Sequence, residues 1–218
     1  MIPLTSHNQD FISGSPEDLA TDLGSDGVLN FLSMFCEAYS QLKNNKRITP
    51  NNSEPDINEE FFIELSEVLR RSGCSFYIVP EKQEKNDRKR RGKFPTIDFC
   101  FRARYDTESI IGAECKLLKD TNESCNQYVS NGVRRFILGK YSKKSSFGSM
   151  IGYILVGSTP KIISRVEEKI NKVADISKMQ CSNGVLKTSY HYESIHSREK
   201  GLVSPFQIHH LFFSFNEC

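Results

Sequence analysis

A chain of 218 residues with 38% hydrophobic and 26% charged residues can bury one good-sized core and is too apolar for a disordered protein. No apolar run approaches the ~20 residues of a membrane span, and the opening MIPLTSHNQD lacks the basic start and apolar stretch of a signal peptide. Seven scattered cysteines with no C-x-x-C pair argue against a zinc module or a disulfide framework, and for reduced thiols and a cytoplasmic location.

The net charge of +2 hides an asymmetry. Residues 1–70 hold 4 Lys and Arg against 12 Asp and Glu, a balance of −8, whereas residues 82–144 hold 16 against 8, a balance of +8. A basic middle segment points to an anionic partner, most commonly nucleic acid; the plainer reading is a solvated face with uneven charge.

Taken in chain order, Ser15-Pro16-Glu17-Asp18 reads as a helix start with Gly24 ending a short helix. Val28, Phe31, Leu32, Phe35, Tyr39 and Leu42 then fall at helical spacing. The polar stretch 44–57, with two prolines, reads as a linker, so residues 1–56 are expected to form an acidic helical extension and residues 57–218 the main domain. That domain opens with a helix whose apolar stripe is Phe61, Phe62, Leu65, Val68 and Leu69, capped near Gly73. Three strands follow: SFYIVP; PTIDFCFRA, with Ile97, Phe99 and Phe101 on one face and Asp98, Cys100 and Arg102 on the other; and SIIGAECKLL. A helix from about Ser124 to Leu138 comes next, ending near Gly139. Then come MIGYILVG as a central strand buried on both faces, an amphipathic helix over 160–177, and two closing strands in VLKTSYHYES and FQIHHLFFSFN. The order predicts an α/β or α+β fold around one mixed sheet.

The third strand poses the functional question. Glu114 and Lys116 point to the same face of an apolar strand, and charged groups are rarely buried unless paired or ligating. If that strand forms a hairpin with the one before it, Asp98 converges on them. Two carboxylates at a sheet edge suit Mg²⁺ or Mn²⁺, which take carboxylates and waters. A lysine beside them can orient or help deprotonate a water, or stabilise charge on a phosphate. The plainer alternative is a structural ion pair.

These residues, Asp98 in PTIDF and Glu114-Cys115-Lys116 in GAECK, resemble the motif of the PD-(D/E)xK nucleases. The resemblance covers residues 57–157, with Ile97 where the family motif has its proline. It implies a restriction-endonuclease-like fold and a Mg²⁺- or Mn²⁺-dependent DNA endonuclease that leaves 5′-phosphate. Metal ligands would be Asp98, Glu114 and the Cys115 carbonyl, with Lys116 at the attacking water. It also implies a carboxylate from the first helix, Glu64 or alternatively Glu60, and a glutamine on the helix after the ExK strand, Gln127. Many nucleases of this fold act as dimers, so the implied partners are DNA and a second copy or another subunit. The stretches YVSNGVRRFILGKYS and HYESIHSREKG resemble parts of bacterial defence and restriction-like proteins, which implies an anti-phage setting.

Arg88, Lys89, Arg90, Arg91 and Lys93, with Arg134 and Arg135, are the expected phosphate contacts. His191, His196, His209 and His210 sit on two separated strands without short zinc spacing, and read as strand-face or internally hydrogen-bonded residues. No P-loop, dinucleotide fingerprint or G-x-S-x-G elbow is present. The competing function is a nucleic-acid-binding or assembly subunit that uses the same fold without cleaving.

Overall fold

The computed structural model describes residues 16–72, 76–83, 96–103, 111–182, 186 and 190–216. The chain starts with a single long helix, α1 (Pro16–Asn44), where the sequence suggested two. Gly24 does not end it: one glycine costs a helix only about 1 kcal/mol relative to alanine, and the following turns are anchored in the core. Phe31, Leu32, Phe35, Tyr39 and Leu42 are all buried, as their spacing predicted. Helix α2 (Glu54–Ser72) follows. It begins in the stretch read as linker, because Ser53 and Asp56 form a capping box. Ser53 donates its amide and hydroxyl to Asp56 Oδ2 at 2.8 and 2.7 Å, and Pro55 sits in the first turn, where its missing N–H costs nothing.

Strands β1 (Phe76–Gln83), β2 (Thr96–Ala103) and β3 (Ile111–Leu118) run antiparallel in sequence order. Next comes a helical stretch made of α3 (Asn122–Tyr128), a π-helical turn (Val129–Val133) and α4 (Arg134–Ile137). Gly139 follows at φ +62°, close to where the sequence set the helix end. Strand β4 (Phe147–Ile154) is buried at every position and pairs in parallel with β3. Helix α5 (Thr159–Ile170) leads to β5 (Ser177–Cys181), β6 (Tyr190–His196) and β7 (Phe206–Ser214). Strand β5 has no counterpart in the sequence reading; its SKMQC carries one buried residue and no alternation to signal it. The sheet is mixed and seven-stranded, in the order β1-β2-β3-β4-β7-β6-β5, with β7 parallel to β4.

Helices cover both faces. α1 and α2 pack with Phe99, Phe101, Ala113, Cys115, Tyr153 and Phe213 in one core cluster. The bulged α3–α4 stretch and α5 pack with Cys100, Met150, Ile154 and Phe212 in the other. Ile97 belongs to the second cluster, not with Phe99 and Phe101 as strict alternation predicted. Regular β2–β3 pairing stops at Phe99–Ala113, and beyond it Ile97 lies over Gly112, where a Cβ would meet its Cδ1 at 2.1 Å.

The boundary expected at residue 56 does not separate two cores. The Phe31 ring meets Phe101 edge-on at 4.6 Å, Tyr39 stacks on Phe213 at 4.6 Å, and the Tyr39 hydroxyl donates to the Ser214 carbonyl. Phe35→Ala, at a fully buried site, should therefore lower the stability of the whole domain by about 3–5 kcal/mol. Denaturant unfolding followed by far-UV circular dichroism should keep one transition with a lower midpoint. An unshifted main transition would mean that α1 is an appendage.

Candidate functional site

The end of the β2–β3 ladder creates the site. Past the Phe99–Ala113 pair, the Cys115 amide donates to Asp98 Oδ2 at 2.7 Å. Asp98 thus lies in the seam between the strands rather than on a solvated face. Its Oδ1 accepts from Asn58 Nδ2 at 3.0 Å, and Asn58 Oδ1 in turn accepts from the Tyr153 hydroxyl at 3.0 Å.

Glu114 is 2% exposed. Its Oε1 lies 3.1 Å from Lys116 Nζ and 3.5 Å from Arg135 Nη1, while its Oε2 is buried with no hydrogen-bond partner among the described residues. Burial first, and the Asp98 charge second, push the Glu114 carboxyl up to about 8 against the pull of Lys116 and Arg135. Lys116 loses some of its preference for charge to burial, but the carboxylates of Glu114, Asp98 and Glu54 outweigh that and raise it well above the usual lysine range.

Sequence reasoning missed Glu54. Its Oε1 accepts from Lys116 Nζ at 2.9 Å and its Oε2 from the Leu117 amide at 2.7 Å. Glu54, Asn58 and Phe61 follow the i, i+4, i+7 spacing of one helix face, so the polar end of α2's buried stripe faces the site. The signal was the Ser53-Glu54-Pro55-Asp56 start, which the prolines disguised as a linker. Glu64 and Glu60 are not brought to the cluster. Both bind Arg47, at 2.8 and 3.3 Å, and Glu64 lies about 9 Å further along the axis than Asn58.

The other expected residues divide. The Cys115 carbonyl accepts from Lys116 Nζ at 2.5 Å, so it is already engaged. Gln127 is exposed and donates to Glu123 at 3.3 Å, away from Glu114. Arg134 faces solvent. Arg135 turns inward: its Nη1 donates to the Tyr141 hydroxyl at 2.6 Å, which donates to the Thr96 carbonyl at 2.7 Å. Arg198 braces that wall by donating to the carbonyls of Tyr141, Ser142 and Ser145. The π-turn presses close because Gly132 has no side chain; a Cβ there would meet Met150 Cε at 2.2 Å and lie 3.8 Å from Glu114 Cγ. Arg88, Lys89, Arg90, Arg91 and Lys93 fall outside the described residues.

The arrangement fits a hard divalent cation. Mg²⁺ needs only one or two carboxylates with waters; Asp98 and Glu114 supply two, and the orphaned Glu114 Oε2 is a buried acceptor of the kind a cation completes. Glu54 does not form a three-carboxylate cage with them, since the ligand atoms of such a trio do not lie within 4.8 Å of one another.

The histidines lie on strand faces and hydrogen-bond within the fold, as the sequence reading held. β6 and β7 are neighbours, with Glu193 opposite His209. His191 Nε2 and His209 Nδ1 are 3.2 Å apart on one face of the sheet. On the other face, Ser194 Oγ joins His196 Nε2 and His210 Nε2 at 2.8 Å each, and His210 Nδ1 meets the Tyr128 hydroxyl at 3.1 Å. Burial lowers His191 to about 4, whereas the His209 imidazole and the Ser182 hydroxyl hold Glu193 at about 2 against its partial burial.

No protein-family profile, curated protein or solved structure matches this chain. Among the described residues no helix is long and apolar enough to cross a membrane.

The Glu114 proton sets a pH dependence. The folded state keeps a proton up to about pH 8 that the unfolded chain releases near the ordinary carboxyl value of about 4.3. Stability therefore falls as pH rises through that interval, by up to about 1.4 kcal/mol per unit. Denaturant titrations in EDTA between pH 5 and 8 should show Glu114→Gln gaining on the wild type as pH rises. A difference that does not vary with pH would contradict this.

Proposed function

We propose that this chain is a Mg²⁺- or Mn²⁺-dependent phosphodiesterase acting on DNA, as the PD-(D/E)xK resemblance implies. The observation that carries the reading is the convergence of Asp98, Glu114 and Lys116: Asp98 bonds the amide between the other two, and Lys116 Nζ is 3.1 Å from Glu114 Oε1. The topology supports it as well. A helix, three antiparallel strands, a helix and a strand parallel to the third is the order expected of a restriction-endonuclease-like core, and the cluster lies where β2 and β3 part.

Asp98 and Glu114 would hold the cation. Once bound, it would polarise a phosphate oxygen and lower the pKa of a water. Asn58 and the Cys115 amide fix the Asp98 carboxylate through both oxygens. Lys116 is held protonated by the surrounding carboxylates, so its role is to stabilise charge on the phosphate and anchor a water, not to remove a proton. Arg135, braced by Tyr141, adds positive charge beside Glu114. Glu54, not Glu64, is the helix carboxylate that positions Lys116. The bacterial anti-phage setting and a dimeric or multi-subunit assembly belong to the same proposal and rest on the resemblance alone, whereas a cytoplasmic location rests on the scattered cysteines.

One observation favours the non-cleaving alternative. Lys116 Nζ already contacts Glu54, Glu114 and the Cys115 carbonyl, so the network closes on itself without a substrate. Supercoiled plasmid incubated with the full chain in Mg²⁺, Mn²⁺ or EDTA separates the readings. Nicking should require metal and fall about 100-fold or more in Lys116→Ala. Equal nicking by that variant would overturn the site assignment. Salt-sensitive binding without cleavage by the wild type would favour the non-cleaving subunit.

A further inference from the structure

We infer that His191, Glu193 and His209 form a zinc site on the opposite face of the sheet from Glu114. Among the described residues, this is the one trio of His, Cys, Asp or Glu whose ligand atoms all lie within 4.8 Å of one another. His191 Nε2 and His209 Nδ1 are 3.2 Å apart, and each is 3.6 Å from Glu193 Oε1. The 3.6 Å separations are too long for hydrogen bonds, yet three polar atoms still converge. A triangle with those edges has a centre about 2.0 Å from each corner, which matches the zinc distances of about 2.0–2.1 Å to imidazole nitrogen and about 2.0–2.2 Å to carboxylate oxygen.

The carboxylate is oriented from behind. Ser182 Oγ donates to Glu193 Oε1 at 2.7 Å and Gln207 Nε2 to Oε2 at 2.9 Å, the kind of outer support that fixes metal ligands. The rings are held by burial and packing, since His191 Nδ1 and His209 Nε2 have no hydrogen-bond partner among the described residues. His191 is 3% and His209 4% exposed, and Phe147 packs edge-on to His209 at 5.9 Å. The Glu193 side chain is 24% exposed, so solvent reaches the cluster on that side. Three protein ligands leave a fourth position for water.

Donor chemistry separates this trio from the Asp98–Glu114 site. Two imidazoles and one carboxylate suit Zn²⁺, whereas carboxylates alone suit Mg²⁺. The two places are also apart. β7 lies two strands from β3, about 10 Å across the sheet. His209 faces the α1–α2 side with Phe147, while Glu114 faces Gly132 of the π-turn. The ion would clasp β6 to β7 near the β5 edge of the sheet, and the inference does not depend on the nuclease reading.

The test is zinc binding by the full chain, stripped with chelator, desalted and titrated with Zn²⁺ against a chromophoric competitor. Wild type and Cys181→Ser, which removes the one exposed thiol among the described residues, should each take one equivalent. His209→Gln and Glu193→Gln should bind at least tenfold more weakly. Two variants are used so that misfolding of one, read by circular dichroism in EDTA, leaves the other decisive. X-ray absorption of the zinc form should show only nitrogen and oxygen neighbours near 2.0 Å. Absence of competitive binding by the wild type, unchanged affinity in a folded variant, or sulfur in the zinc shell would overturn the inference.

Discussion

The rest of the structure is organised around a carboxyl buried where its charged form is costly. Glu114 sits in the interior of β3, is almost wholly buried, and has one oxygen unpartnered. A buried ion pair is weak support for stability, since apolar residues of similar volume often serve a fold as well or better. The elements around Glu114 are nevertheless built to keep it. The capped start of α2 delivers Glu54 to Lys116. Asn58, one turn on, and the Cys115 amide hold Asp98. The π-turn brings Gly132 within reach of Glu114, and Arg198 braces the loop behind Tyr141 and Arg135. Perturbed, desolvated carboxyls with specific charge partners cluster at functional sites, and π-turns inside helices are frequent there too.

Much of this was legible in the sequence where a pattern had a single physical reading. The apolar stripes of α1 and α2, the unbroken burial of β4 and the ExK strand were all visible from spacing and composition. The pairing of Asp98 with the strand that follows came from the same source. What escaped detection depended on three-dimensional competition. Glu54 was hidden because two prolines look like a linker until one is placed in a first helical turn. Gly24 looked like a helix end because local preference was weighed without the core anchor that follows it. Ile97 left the face that alternation assigned because regular β2–β3 pairing stops at Phe99–Ala113. The His191–Glu193–His209 trio was invisible because its members lie on segments 18 residues apart that only the β6–β7 register brings together.

The two faces of the sheet thus carry different chemistry. One presents oxygen ligands and a protonated lysine where two strands part. The other presents imidazole nitrogens and one carboxylate clasped across neighbouring strands. Each gathers polar groups at the sheet, oxygen donors on one face and a mixed nitrogen and oxygen set on the other.

The most direct test of the central claim is whether the Asp98–Glu114 seam binds a hard cation. Free Mn²⁺ can be followed by electron paramagnetic resonance during titration with the full chain at pH 8, for wild type, Asp98→Asn and His209→Gln. A stoichiometric loss of the aqueous Mn²⁺ signal is expected for the wild type, retained in His209→Gln and abolished in Asp98→Asn. Mn²⁺ uptake unaffected by Asp98→Asn, or none by the wild type, would contradict it and leave the buried carboxyls as a structural network.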